Sequence, residues 1–211
     1  MRKGFTIAEI LVVIAVIAVM GAIITEIFSR SLRGGNKSQI ISAIKQNGQS
    51  MLEVMDKTIR NSDEIVCPEI LAADIVAAGS NPISRPSDIV AVVNEDGKYT
   101  RFRFIEGDNN ANGKIMQDNP VYNPTQSQEA FLNEICLNVD HLSTKPLNIT
   151  NTDSKNGVSV IPKGEPFTRN KKAGFNDTLS INFSLAPGVL APVAVAGQVD
   201  PVTFTTTIQL R

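Results

Sequence analysis

Apolar and polar positions divide the chain into a long apolar block, a striped block and a series of short alternating runs. From Ile10 to Ile24 the only break in hydrophobicity is Gly21, and Phe5 to Ile24 gives 20 residues. About 20 apolar residues are needed for a helix to cross a bilayer. Ile40, Ile41, Ile44, Met51, Leu52, Met55 and Ile59 then recur at spacings of three, four and seven, with Lys45, Gln46, Gln49, Glu53, Lys57 and Arg60 between them. That spacing predicts one amphipathic helix, packed on a sheet through its apolar stripe. Gly34-Gly35 predicts a kink or interruption, Gly48 a weaker one, and Asn61-Ser62-Asp63 before Cys67-Pro68 the helix end.

Past this point the period changes to two. Asp88 to Val93 is β-branched, Asn94-Glu95-Asp96-Gly97 is turn material, and Tyr99, Arg101 and Arg103 alternate with Thr100, Phe102 and Phe104. The pair predicts a hairpin whose second strand is half-buried. Lys114 to Gln117 is placed to pair next, Gln128 to Leu137 reads as a short helix, and Leu179 to Leu185 and Thr203 to Leu210 as further strands. The order predicts an α+β fold, a long N-terminal helix packed on one antiparallel sheet. Stretches rich in Pro, Gly, Asn and Thr (79–82, 119–124, 145–157, 187–201) predict loops. The last of them is apolar but broken by Pro187, Gly188, Pro192 and Gly197, which excludes a second membrane helix. It reads as folded back on its own sheet or as a subunit contact.

Against this pattern Glu9 stands out, a carboxylate at the head of the apolar block. An ion in hydrocarbon costs several kcal/mol, and such residues mark a functional pairing. Its own helix offers no cation nearby. A secretory signal would need small residues after the apolar core, whereas Thr25, Glu26, Ile27 and Phe28 follow. A plain single-pass anchor fits the length but leaves Glu9 without a role. The flanks do not set orientation, since Arg2 and Lys3 precede the span and Arg30, Arg33 and Lys37 follow it.

Gly4, Phe5, Thr6 and Glu9 in front of such a run resemble the prepilin leader of type IV pilins and of the pseudopilins of type II secretion and competence machines. The specific match covers Met1 to about Ile24. The resemblance implies that a prepilin peptidase cuts between Gly4 and Phe5, removing the leader 1–4, and methylates the new amine of Phe5. It further implies that this amine, in a neighbouring subunit, neutralises Glu9 on filament assembly. Helix, hairpin, long loops and terminal strand are similar in layout to the W-type minor pilins and the J-type pseudopilins. The implied division is a filament-core helix over 5–28, an amphipathic helix over 29–62 and a β-rich globular domain over 63–211.

Composition narrows the chemistry. Formal net charge is −1, and loss of Arg2 and Lys3 with the leader would make it −3. No basic surplus points to nucleic acid as the main partner. The cluster Lys163, Arg169, Lys171 and Lys172 reads as a solvated face rather than a DNA contact, with only Phe167 and Phe175 as aromatic neighbours. One histidine, His141, and two cysteines leave little material for a zinc site or a Cys/His pair. Cys67 and Cys136, in an exported domain, read as a disulfide, with two unpaired buried thiols as the alternative. Asp108, Asn110, Asn112 and Gly113 match the opening of a calcium loop, but position twelve is Asn119 where a bidentate Glu is needed. A plain Asn/Gly turn is the other reading, although the resemblance keeps calcium open, since some pseudopilins bind it in loops; no other cofactor is expected.

No Ser/His/Asp spacing, metal cluster or phosphate loop suggests an enzyme. The expected function is a structural subunit of a type IV pilus-like, secretion or competence filament. Its partners would be the prepilin peptidase, other pilin or pseudopilin subunits and the membrane. It would wait in the cytoplasmic (inner) membrane as a single-pass protein with its globular domain outside, then enter an extracellular or periplasmic filament. The alternative is a membrane-tethered adhesin or DNA-binding receptor delivered by the same leader.

Overall fold

The computed structural model describes residues 6–79, 81–137, 139, 145–192, 197 and 199–210, excepting the side chains of Arg33 and Lys163. The chain divides into two compact units, Met1–Ile40 and Ile41–Arg211. Helix α1 (Ile7–Arg60) runs through the division without a break, and both Gly34 and Gly35 are helical. The interruption expected there is absent: a glycine weakens a helix by only about 1 kcal/mol, and the helical residues around it carry it.

In the first unit the large apolar side chains from Ile7 to Leu32 stand clear, from 47% exposed at Val16 to 80% at Ile7. By length and composition this stretch can cross a membrane. The Thr25 hydroxyl donates to the Gly21 carbonyl (2.8 Å), so the one alcohol near its end is satisfied within the helix. In the second unit the stripe behaves as its spacing predicts. Ile44, Met51, Met55 and Ile59 are fully buried, while Lys45, Gln46, Gln49, Glu53, Lys57 and Arg60 face solvent.

The α+β order holds, but the strands form two antiparallel sheets rather than one. Sheet A takes β1 (Glu64–Cys67), β3 (Ile89–Val93), β4 (Tyr99–Ile105), β5 (Lys114–Asp118) and β6 (Leu147–Asn148), in that order. Sheet B takes β2 (Ile83–Ser87), β7 (Val158–Lys171), β8 (Thr178–Pro187) and β9 (Val202–Gln209). The split arises because β2 leaves its sequence neighbour β3 and pairs with β7, Ile83 opposite Lys171. Two short helices complete the described elements, α2 (Ala72–Ala78) and α3 (Gln128–Ile135). Ser127 caps α3 by accepting from the Ala130 amide at 3.2 Å.

Strand β7 was hidden by Pro162, Gly164 and Pro166. Its register with β8 shifts between Pro162 and Phe167, so Gly164 and Pro166 lie in a bulge where no ladder hydrogen bond is required, while Pro162 is the last residue paired before it, opposite Phe183. Pro86 is tolerated in β2 because β2 is an edge strand. The hairpin β3–β4 forms as expected, but β4 is buried on both faces from Arg101 to Phe104. Arg101 and Arg103 lie opposite Ala91 and Ile89, residues that with Cys67, Phe131 and Ile135 form the core beneath α3.

What admits two guanidinium groups to that core is Asp118 of β5. Arg101 is a bidentate donor to it, Nε to Oδ1 at 2.9 Å and Nη2 to Oδ2 at 2.7 Å, and Arg103 Nη2 lies 3.2 Å from Oδ2. The remaining Arg101 protons bond the carbonyls of Ile135, Leu137 and Val139 and so hold the end of α3. Breaking a buried pair of this kind by removing one partner costs about 3–5 kcal/mol.

Gly48 sits where α1 meets sheet B. A Cβ there would lie 2.2 Å from the Phe204 ring, which is itself stacked on Phe183 at 5.5 Å between centroids. Gly48 is therefore a contact that brings helix and strand together rather than a weak point. Opposite signs are expected for two Gly→Ala changes in one helix. Gly34→Ala, in open space, should gain up to about 1 kcal/mol, whereas Gly48→Ala should lose about 1–3 kcal/mol through overpacking. Urea unfolding in detergent, followed by circular dichroism, measures both.

Candidate functional site at the start of the long helix

Helix α1 begins on a reciprocal cap. The Thr6 hydroxyl accepts from the Glu9 amide (3.3 Å), and the Glu9 carboxylate accepts from the Thr6 amide and hydroxyl, both at 2.9 Å. This is the Thr-x-x-Glu capping box, in which two orphan N–H groups of the first turn are satisfied at once. The first backbone bond of the helix follows from the Ile10 amide to the Thr6 carbonyl, at 3.3 Å. Gly4 and Phe5 lie outside the described residues.

Glu9 is thus not bare within its own chain. It has two neutral donors, and Thr6 and Glu9 carry the spacing of the motif. The cap orients the carboxylate and supplies no opposite charge. Glu9 stays exposed, with an uncharged stretch running from Ile10 to Thr25 behind it. A carboxylate in the first turn is also favoured by the helix dipole.

The other residues singled out in the sequence lie in the second unit. Cys67 at the end of β1 and Cys136 after α3 form a disulfide, their Cα atoms 5.5 Å apart. The Asp108 loop is built as a turn. Asp108 Oδ1 accepts from the amides of Asn110 and Ala111, both at 2.7 Å, and those bonds hold its carboxyl below the usual range. The buried Asn112 side chain donates to the Asp153 carbonyl and accepts from the Val189 amide, each at 2.8 Å. Its carbonyl oxygen is thereby committed to tying two loops together, a role that its place in a calcium-loop pattern had obscured. Among the described residues no group of three or more His, Cys, Asp or Glu is placed to hold a metal ion.

The basic cluster does not form one solvated face. Arg169 is buried, donating to Asp177 Oδ2 through Nε (2.8 Å) and Nη2 and to the Pro68 carbonyl through Nη1 (2.9 Å). Lys171 pairs with the same Asp177. Lys172 lies over the exposed Phe175 ring, 5.0 Å from its centroid. The apolar loop after β8 folds back where it is described. The amides of Gly188 and Leu190 donate to the carbonyls of Gly157 and Ser154.

Compared with protein-family models, with curated proteins and with solved structures, the chain matches none. The site is therefore read from its own residues.

The disulfide closes a separation of 69 residues, for which chain entropy gives about 4 kcal/mol. Replacing both Cys67 and Cys136 by Ser should lower unfolding stability by about 2–4 kcal/mol. Tyr99 and Tyr122, packed edge-on against Phe131, provide the fluorescence signal in a chain without Trp. An unchanged urea midpoint would show that the crosslink adds nothing to the fold.

Proposed function

We propose that the chain is a structural subunit, a minor pilin or pseudopilin, of a type IV pilus-like or type II secretion or competence filament. The observation that carries this reading is one continuous helix with two characters. Its first part exposes apolar side chains all round, and its second part buries a single stripe in a β-rich domain. A wholly apolar helix suits lipid before assembly and the packed helices of other copies afterwards. The adjoining residues Gly4, Phe5 and Glu9 supply the processing and pairing chemistry. The prepilin peptidase frees the Phe5 amine, the amine is methylated, and in the filament it meets the Glu9 carboxylate of a neighbouring copy.

Before assembly the subunit sits in the cytoplasmic membrane with the domain that follows α1 outside. Thr6 supports the pairing step by holding the carboxylate at the helix start with its charge intact. Of the alternative, a tethered adhesin or DNA-binding receptor, only the DNA-binding form is weakened, because Arg169 and Lys171 of the basic cluster are committed to Asp177.

Mass spectrometry of the native N-terminal peptide tests the reading. The expected peptide begins at Phe5 and carries one methyl group, and Gly4→Leu should leave the leader attached. A native chain that keeps Met1 to Gly4, or one that is cut normally with Gly4→Leu, would count against it.

A further inference from the structure

The two sheets present four edge strands, and three of them are blunted. Strand β1 has four residues and a register shift between Ile65 and Cys67. Strand β6 has two residues. Strand β2 carries Arg85 and Pro86. Short length, bulges, charge and proline are the devices by which edges avoid pairing with other chains.

Strand β9 has none of these. It runs for eight residues, Val202–Gln209, without Pro, Gly or a charged side chain, and its register with β8 is uninterrupted from Thr178 opposite Gln209 to Leu185 opposite Val202. Among the described residues no strand pairs with its other side. Every second residue of such a strand turns both its N–H and its C=O outward, ready to bond another strand.

We propose that the outer edge of β9 pairs antiparallel with β9 of a second copy of this chain. The occupant follows from self-complementarity. A strand without charges meets its own copy without like-charge repulsion. Residues opposite one another must lie on the same face of the joined sheet, which restricts the two-fold to a register centred on a residue. Centred on Thr205, the strand's own sequence places Thr203 opposite Thr207 and Thr205 opposite itself on the exposed face. Val202 then lies opposite Ile208, and Phe204 opposite Thr206, on the inner face.

The same face already carries a polar ladder, open on β9 and buried at Ser184 of β8. Ser180 shares a hydrogen bond with Thr207 (3.2 Å), Ser184 with Thr203 (3.0 Å), and Thr205 donates to Asn182 (3.2 Å). Each hydroxyl can both donate and accept, so the ladder extends across the new boundary. This two-fold contact closes on a pair. It does not rest on the filament reading, whose helix packing repeats from copy to copy.

Cysteine crosslinking of the full chain in detergent micelles tests the pairing. The native cysteines are bonded to each other, so an introduced thiol is the one free to react. Thr205→Cys should oxidise to a covalent dimer. Thr203→Cys alone should not, whereas a mixture of Thr203→Cys and Thr207→Cys chains should crosslink. Adding Thr205→Lys to both chains of that mixture should abolish the product, because it sets two ammonium groups face to face on an exposed surface. Each variant should keep the urea midpoint of the parent. Three results would overturn the pairing: no dimer from Thr205→Cys, equal crosslinking of Thr203→Cys alone, or equal crosslinking of a Val76→Cys control on the exposed face of α2.

Discussion

The fate of one negative charge at the head of an apolar helix governs how this chain is understood. Taking a carboxylate into hydrocarbon costs several kcal/mol. Within the chain the Thr6 amide and hydroxyl both donate to it, and the helix dipole favours it at this end. These local groups satisfy acceptors of the carboxylate without supplying an opposite charge. The result is a carboxylate fixed in position, which is what a cation on another molecule needs if it is to bind in a defined place. Glutamine can also close a capping box, so the geometry of the cap and the charge are separable.

Beyond the helix, charge is handled differently. Arg101 and Arg103 share Asp118, and Arg169 and Lys171 share Asp177. In both clusters a single aspartate admits two cations to the domain, and spare guanidinium protons bond backbone carbonyls of other segments. Arg101 secures the end of α3, and Arg169 reaches Pro68 beside the disulfide. Buried pairs of this kind add little net stability over apolar packing. Their effect is selective, since a slipped strand would leave an aspartate or a guanidinium without its partner.

How much of this could be read from the chain depended on whether the signal was local. The stripe from Ile44 to Ile59, the hairpin of β3 and β4, helix α3 and the final strands all declare themselves through periodicity, which is a property of neighbouring residues. The division into two sheets does not, because β2 finds its partner at a separation of more than eighty residues. Strand β7 was concealed by two prolines and a glycine, of which its bulge accommodates Gly164 and Pro166. Arg101 and Arg103 alternate as a polar face should, and only their pairing with Asp118 explains their burial. At the candidate site Glu9 was conspicuous by its charge. The role of Thr6 was equally present in the spacing, but it answers a question about hydrogen bonds rather than about cations. Gly48 read as a weak helix position because the ring it accommodates lies far away in sequence.

Replacing Glu9 by Gln separates the two roles most directly, since it keeps the capping geometry and removes only the charge. The measurement is the fraction of processed subunits recovered in sheared filaments, compared with the parent chain. The account predicts normal leader cleavage, a preserved helix start and almost no Gln variant in the filament fraction. Incorporation of that variant at the parental level would contradict it, leaving Glu9 as a helix cap.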